Sequence, residues 1–156
     1  LQQVTTSIRA DYPEASVSVS CPDDVSIRAT PQFRQAIEEL LTNAIIHNPD
    51  DSPEATITVA EDSDTVRIEI ADTGPCIPAM ERDVLLGNKQ RTELDHGSGL
   101  GLWFVQMLVS RSGGSIRFET NSPTGNIVIL ELPTDDGDAV PSLTDAESND
   151  LSAAED

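Results

Sequence analysis

The segment that decides the fold runs from Arg91 to Gly113 and reads RTELDHGSGLGLWFVQMLVSRSG. Three glycines alternate in it, at positions 97, 99 and 101, immediately before an apolar run of helical spacing. Glycine lets the backbone approach a ligand closely, and a helix that begins there aims unpaired N–H groups and its positive dipole end at the same place. The pattern predicts a helix from about Gly99 to Ser112 with a phosphate cradle at its start. A plain turn before a helix has the same form.

A second helix is predicted between Thr30 and Asn48. Thr30 has the character of an N-cap, Pro31 suits the first helical position, and Pro49 marks the end of the helix. Apolar residues recur at helical spacing and predict the core face: Phe33, Ile37, Leu40, Leu41 and Ala44.

This second helix also carries a polar stripe of Glu39, Asn43 and His47. Residues spaced four apart share one helix face, here adjacent to the apolar face. The amide oxygen of Asn43 is a hard, neutral ligand that suits Mg²⁺, and the Glu39 carboxylate one turn away could orient or deprotonate a nucleophile. A solvated polar stripe is the alternative interpretation.

A third motif, Asp72-Thr73-Gly74, follows a predicted strand. A carboxylate at the end of a strand can accept a hydrogen bond from an exocyclic amine such as that of adenine. Gly74 would let the backbone close over a flat ring. An ordinary Asp-Gly turn remains the alternative.

The remaining elements are predicted from alternation and from turn residues. Two further helices are predicted, over residues 1–10 and over residues 79–86. A loop is predicted over residues 87–98. Strands are predicted over residues 15–20, 25–29, 55–61, 65–71, 115–120 and 126–132.

The charge of the chain is strongly acidic, with 28 acidic and 9 basic residues and a net charge of −19. Such a surface repels nucleic acids and anionic membranes, so neither is expected as a partner. An acidic chain with a single lysine resembles proteins adapted to a salty cytoplasm, where salt screens self-repulsion; an acidic mesophilic protein is the alternative. Two cysteines without metal-ligand spacing fit the reducing cytoplasm. No apolar run or leader pattern predicts a membrane span or a signal peptide.

The composition divides the chain into three parts. Residues 1–13 are predicted to be the end of a connecting helix. Because the chain begins with Leu1, it is expected to be a piece of a longer protein. Residues 14–133 form the predicted domain. Residues 134–156 hold eight acidic residues and no base, which predicts a disordered tail. Without the tail, residues 1–133 still carry a net charge of −11.

Taken together, the three motifs resemble the ATP-binding domain of sensor histidine kinases. That domain belongs to the superfamily of gyrase, heat-shock chaperone, histidine kinase and mismatch-repair ATPases (GHKL). The resemblance covers about residues 14–132 and lies in the order Glu-x-x-x-Asn, Asp-x-Gly and Gly-x-Gly-Leu-Gly-Leu. The Gly-Leu-Gly-Leu-Trp form and the acidic composition look most like the histidine kinases of halophilic archaea.

The resemblance implies a Bergerat-type α/β fold. This is a two-layer sandwich, in which three helices cover one face of a mixed, mostly antiparallel sheet.

The resemblance also implies a site for ATP and Mg²⁺. Asn43 would be the Mg²⁺ ligand, Glu39 its catalytic neighbour and Asp72 the residue that recognises adenine. Residues 87–98 would be the ATP lid. The implied ATP contacts are Asn43, His47, Asp72, Gly74, Ile77, Lys89, Arg91, His96, Gly97, Ser98, Gly99, Leu100, Gly101 and Leu102.

Three residues or segments depart from the family pattern. Cys76 stands where the family has a second glycine, and its Cβ would lie near the base. Ile46 stands where many histidine kinases carry lysine. The lid segment has no phenylalanine, so the aromatic box of the family is missing or replaced.

The function implied is the catalytic half of a two-component kinase, either cytoplasmic or the cytosolic part of a membrane-bound sensor. It would donate the γ-phosphoryl group of ATP to a histidine on an upstream dimerisation domain, form a homodimer through that domain and serve a response regulator. Neither His47 nor His96 has the sequence setting of a phosphoacceptor. Two alternatives stay open: an ATPase that hydrolyses ATP with Glu39 activating water, and a non-catalytic nucleotide-binding interaction module.

Overall fold

The computed structural model describes residues 1–77 and 99–135. Its helices are Gln2–Asp11 (α1), Phe33–Ile46 (α2) and Gly99–Arg111 (α3). Its strands are Ser16–Ser20 (β1), Glu54–Asp62 (β2), Thr65–Asp72 (β3), Ser115–Thr120 (β4) and Asn126–Pro133 (β5). The helix predicted over residues 79–86, the loop over 87–98 and all but the first two residues of the acidic segment 134–156 lie outside the described residues.

Alternating side chains build the five-stranded sheet, whose order is β1-β2-β3-β5-β4. The edge strand β1 pairs with β2 in parallel, and all other neighbours are antiparallel. In β2 and β3 every second residue is buried, as expected for a sheet with one covered face. The prediction of a mixed, mostly antiparallel sheet is confirmed.

The covered face of the sheet packs against the apolar sides of the three described helices in one continuous core. All five apolar residues predicted for the core face of α2 are buried. The central strands β3 and β5 contribute fully buried residues such as Ile70 and Leu130. This is the two-layer α/β arrangement that the resemblance implies.

The predicted cap of α2 is wrong. The helix begins at Phe33 instead of Pro31, and the Thr30 hydroxyl is buried without a hydrogen-bond partner. The backbone N–H of Thr30 donates to the Ser112 hydroxyl (3.1 Å), and its carbonyl accepts from the N–H of Phe33 (2.9 Å). This long-range contact with the end of α3 holds Thr30 in a turn, so the local capping signal is overridden.

The strand predicted over residues 25–29 is also wrong, although its alternation is real. Val25, Ile27 and Ala29 are half-buried against the core, but only Ile27 forms a bridge, with Thr134. The bridge partner, Thr134, lies just past the end of β5 at Pro133, and the described residues form no ladder there. Hydrogen bonding in the fold therefore extends to Thr134, which is buried, and to Asp135.

None of the helices in residues 1–77 and 99–135 is long and apolar enough to cross a membrane.

The turn between β4 and β5 packs directly on the end of β3. Gly125 has a φ of +118°, and a Cβ at this position would overlap the carbonyl oxygen of Asp72 and lie 2.8 Å from its carbonyl carbon. The Asn121 side-chain amide donates to the same carbonyl oxygen (2.8 Å). Gly125 is therefore required both by its backbone conformation and by this close approach.

We predict that Gly125→Ala destabilises the domain far more than Gly113→Ala. Gly113 also has a positive φ, +74°, but a Cβ there meets its nearest atom only at 3.9 Å. Gly113→Ala should thus cost only the left-handed backbone penalty, about 1–2 kcal/mol. Gly125→Ala adds overlap with β3, for a total of roughly 2–5 kcal/mol. Urea unfolding curves of both variants measure the difference, and equal midpoints would contradict the close packing.

Candidate functional site

A cavity of about 290 Å³ lies between α2, the end of β3, the start of α3 and the start of β5. This volume is near the lower end for small-molecule pockets. Its apolar wall is formed by Leu40, Ala44, Leu102 and Val128. Its polar groups and the loop after β3 complete the lining: Asn43, His47, Asp72, Gly74, Pro75, Cys76, Ile77 and Asn126.

Asp72 is the buried charged group of this cavity, with only 8% of its surface exposed. It is the last residue of β3, on the strand face that packs toward the helices. The backbone N–H of Gly74 donates to its Oδ1 (2.9 Å), which forms the turn that the Asp-x-Gly sequence favours. A carboxylate in this position can accept a hydrogen bond from a ligand in the cavity.

Gly74 is buried beneath the loop and lies close to Asn48. A Cβ there would lie 3.4 Å from Asp72 Oδ1 and 3.5 Å from the Cα of Asn48, which are ordinary van der Waals distances. The Asn48 amide in turn donates to the Thr73 hydroxyl (3.1 Å). The end of α2 and the loop after β3 are thereby fastened together.

The polar face of α2 meets the first turn of α3 at Gly101. A Cβ at Gly101 would lie 3.0 Å from Glu39 Oε2 and 3.5 Å from Asn43 Nδ2. Because Gly101 has no side chain, the unpaired N–H groups of the first turn of α3 come close to a carboxylate and an amide. The structure therefore brings two of the three sequence motifs together at this point and the third, at Asp72, into the same cavity.

The remaining predicted residues differ in how they are placed. His47 lies just after the end of α2, exposed, and lines the cavity, as do Ile77 and Leu102. Gly99 and Leu100 form the first positions of α3. The predicted phosphate contacts Lys89, Arg91, His96, Gly97 and Ser98 lie outside the described residues.

Two of the departures from the family pattern are visible. Cys76 lines the cavity as an exposed free thiol and donates to the carbonyl of Gly125 (3.6 Å). Ile46 is 56% exposed at the end of α2.

Sequence reasoning missed Asn126. The residue is 4% exposed, lines the cavity and donates to the Asp72 carboxylate. The sequence predicts it only as the first residue of the strand over 126–132, after the Pro-Thr-Gly turn, and gives no signal of a site residue. Its role arises from the pairing of β3 with β5, which places Ala71 opposite Ile127 and hence Asp72 beside Asn126.

The polar atoms of the cavity fit a metal ion that takes most of its ligands from elsewhere. Asn43 in the cavity lining and Glu39 beside the first turn of α3 offer hard oxygen atoms, which Mg²⁺ prefers, and Mg²⁺ usually retains waters and phosphate oxygens in its shell. Residues 1–77 and 99–135 contain no cluster of three or more acidic, histidine or cysteine side chains that could hold a metal ion by themselves.

Comparison with known proteins identifies a family and relatives that this chain resembles. Residues 29–136 match the family described as "Histidine kinase-, DNA gyrase B-, and HSP90-like ATPase". The chain is 35% identical over 91 residues to the sensor histidine kinase CitA of Klebsiella pneumoniae. The aligned segment covers 58% of this chain and 17% of CitA. It is 30% identical over 122 residues to the adaptive-response sensory kinase SasA of Nostoc sp., covering 75% of this chain and 30% of SasA. The chain thus spans less than a third of these relatives.

Solved structures show the same fold. The nucleotide-free catalytic domain of histidine kinase ThkA superposes with a TM-score of 0.72 at 22% identity, covering 85% of this chain and 90% of that domain. Full-length ShkA in complex with AMPPNP gives a TM-score of 0.67 at 24% identity, covering 85% of this chain and 29% of ShkA.

Proposed function

The chain belongs to the family of histidine kinase-, DNA gyrase B- and HSP90-like ATPases, and from this premise we propose that it is the catalytic half of a two-component sensor kinase. It binds Mg·ATP and gives the γ-phosphoryl group to a histidine on a dimerisation domain of the same protein. The observation that carries the proposal is the cavity itself, in which a buried carboxylate and a helix start beside Glu39 and Asn43 line one continuous space.

The adenine base is assigned to the part of the cavity beside Asp72. The Asp72 carboxylate would accept from the 6-amino group, and Gly74 and Ile77 would bound the ring. The apolar wall, which includes Leu102 and Val128, removes the faces of the base from water.

The triphosphate is assigned to the start of α3. The backbone N–H groups of residues 97–102 would bind the phosphate oxygens, because the first turn of a helix has free donors and a favourable dipole. Lys89, Arg91, His96 and Ser98 would add contacts from the lid. Asn43 would be the protein ligand of Mg²⁺, which neutralises phosphate charge when bound, and Glu39 would orient the groups around it.

Transfer in this scheme needs positioning rather than covalent chemistry by the chain. The described residues hold one histidine, His47, which lies just beyond the helix that carries Asn43. The acceptor histidine therefore belongs to the dimerisation domain, through which the kinase would form a homodimer. A response regulator would then take the phosphoryl group.

Two other functions have a specific observation in their favour. Glu39 lies close to the start of α3, where it could activate water, which favours an ATPase of the same family. Cys76 adds a side chain to the cavity, which favours a nucleotide-binding module without transfer. Phosphate release by the isolated chain would support the first, and firm ATP binding without transfer to a supplied dimerisation domain would support the second.

We predict that Asp72→Asn lowers ATP affinity while leaving the fold intact. The amide oxygen can replace Oδ1 as acceptor for Gly74, but the NH₂ group then faces the 6-amino group, donor against donor. An unpaired buried polar group costs about 1–3 kcal/mol, which is roughly a 5- to 150-fold loss of affinity. Calorimetry measures it, with Asp64→Asn in the exposed β2–β3 turn as control. Parental affinity in Asp72→Asn would refute the adenine assignment.

The second prediction concerns the isolated chain, which should bind Mg·ATP without labelling itself and without rapid hydrolysis. Correct positioning of reactants is worth about 7–11 kcal/mol, so the absence of a held acceptor removes most of the rate. Adding the dimerisation domain should produce acid-labile, base-stable phosphate on that domain.

Asn43→Ala should abolish this transfer but keep metal-free nucleotide binding, whereas His47→Ala should still transfer. Label on His47 or His96 of the isolated chain would overturn the scheme.

We also infer that the protein is adapted to high salt, as its resemblance to halophilic archaeal kinases implies. The support is the net charge of −11 in residues 1–133, which arises without the acidic tail. Salt screens repulsion between exposed charges that are more than a few ångströms apart.

We therefore predict that the melting temperature rises steeply as KCl is raised from about 0.1 to 2 M, where the screening length falls from roughly 10 Å to below 3 Å. The control is a variant in which three exposed acidic residues of the β2–β3 hairpin are neutralised: Glu54→Gln, Glu61→Gln and Asp64→Asn. This variant should be more stable at low salt and respond less to KCl. An equal slope for both proteins would attribute the salt effect to general salting-out.

A further inference from the structure

Asn126 uses its backbone N–H and both polar atoms of its side chain at the edge of the cavity. Its backbone N–H and its side-chain amide each donate to Asp72 Oδ1 at 3.2 Å. The same amide group donates to the carbonyl of Pro75 (2.8 Å), and its Oδ1 accepts from the N–H of Ile77 (2.7 Å). A buried asparagine with donors and acceptor all engaged has a fixed orientation.

The hydrogen bonds are distributed unequally between the two carboxylate oxygens of Asp72. Oδ1 accepts from three donors, namely the N–H of Gly74 at 2.9 Å and the two from Asn126. Within the part of the chain that the structure describes, Oδ2 has one contact, the Asn126 amide at 3.4 Å. The three donors more than fill the two lone pairs of Oδ1, whereas the single long contact at Oδ2 leaves capacity for a donor from a ligand.

We propose that Asn126 is a positioning residue for base recognition. It holds Oδ1 of Asp72 so that Oδ2 is the oxygen presented to the exocyclic amine of the base. The inference rests on the proposed function of this cavity as the adenine site and adds the residue that sets its selectivity for an amine-bearing purine.

The same side chain also fixes the opposite boundary of the pocket. By bonding Pro75 and Ile77, Asn126 ties the loop after β3 to the start of β5. A side-chain amide carries a donor and an acceptor in one plane, which a carboxylate, with no donor, cannot provide. One residue therefore couples the orientation of Asp72 to the position of the loop that would cover the base.

The test compares two asparagines of the same turn. Asn126→Ala removes the side-chain contacts with the Asp72 carboxylate and keeps the backbone N–H that donates to Oδ1. Asn121→Ala removes an amide that donates to the Asp72 backbone carbonyl and leaves the carboxylate untouched. Each variant and the parent are titrated with ATP and with purine riboside triphosphate, which lacks the 6-amino group. The measured quantity is the ratio of the two dissociation constants.

We expect the parent and Asn121→Ala to prefer ATP by roughly tenfold or more, which is the cost of leaving a buried acceptor unpaired. In Asn126→Ala this preference should fall to about threefold or less, because Asp72 is no longer aimed at the amine. A purely structural role would weaken both nucleotides equally and leave the ratio unchanged, and that result would overturn the inference.

A second variant keeps the test independent of folding losses. Asn126→Leu has nearly the volume of the parent side chain and adds no charge beside Asp72, but it lacks the amide donor to the Asp72 carboxylate. It should lose the preference as Asn126→Ala does, and retention of the preference would overturn the positioning role. A parent protein that binds neither nucleotide, or does not distinguish them, would instead refute the proposed adenine site itself.

Discussion

The register between β3 and β5 is the constraint on which the rest of the site depends. Ala71 pairs with Ile127, and this register sets Asp72 and Asn126 side by side on the covered face of the sheet. A shift of either strand by one residue would turn its side chain of this pair to the opposite face, because side chains alternate along a strand. The close approach of Gly125 to the Asp72 backbone fixes this register from the turn. Strand pairing thus decides which carboxylate enters the cavity.

Helix packing supplies the other half of the cavity. α2 carries its apolar residues into the core while Asn43 and Glu39 remain half-buried at its border with α3. Gly101 lets the first turn of α3 approach that border closely. The base region is therefore defined by strands and the phosphate region by helices, and both are anchored to one apolar core.

Much of this arrangement is encoded locally and could be predicted from the sequence. The alternation in β2 and β3, the core face of α2 and the glycines before α3 are patterns of near neighbours in the chain. What could not be predicted depends on distant partners. Thr30 has the local signal of a helix cap but is held by Ser112, 82 residues away. Asn126 is predicted only as the first residue of a strand and gains its role from Asp72, 54 residues away.

An acidic domain that binds a triphosphate must overcome repulsion between like charges. The position of Glu39 at the start of α3 shows where this repulsion would be strongest. Without nucleotide, the Glu39 carboxylate lies near the positive end of α3, which stabilises it. In the proposed complex the triphosphate would occupy the same region, so two negative groups would meet in a partly buried place. A divalent cation between them converts this repulsion into attraction. Asn43 offers such a cation an oxygen without adding further negative charge. The requirement for a metal ion would then follow from the chain's own Glu39 as much as from the chemistry of phosphoryl transfer.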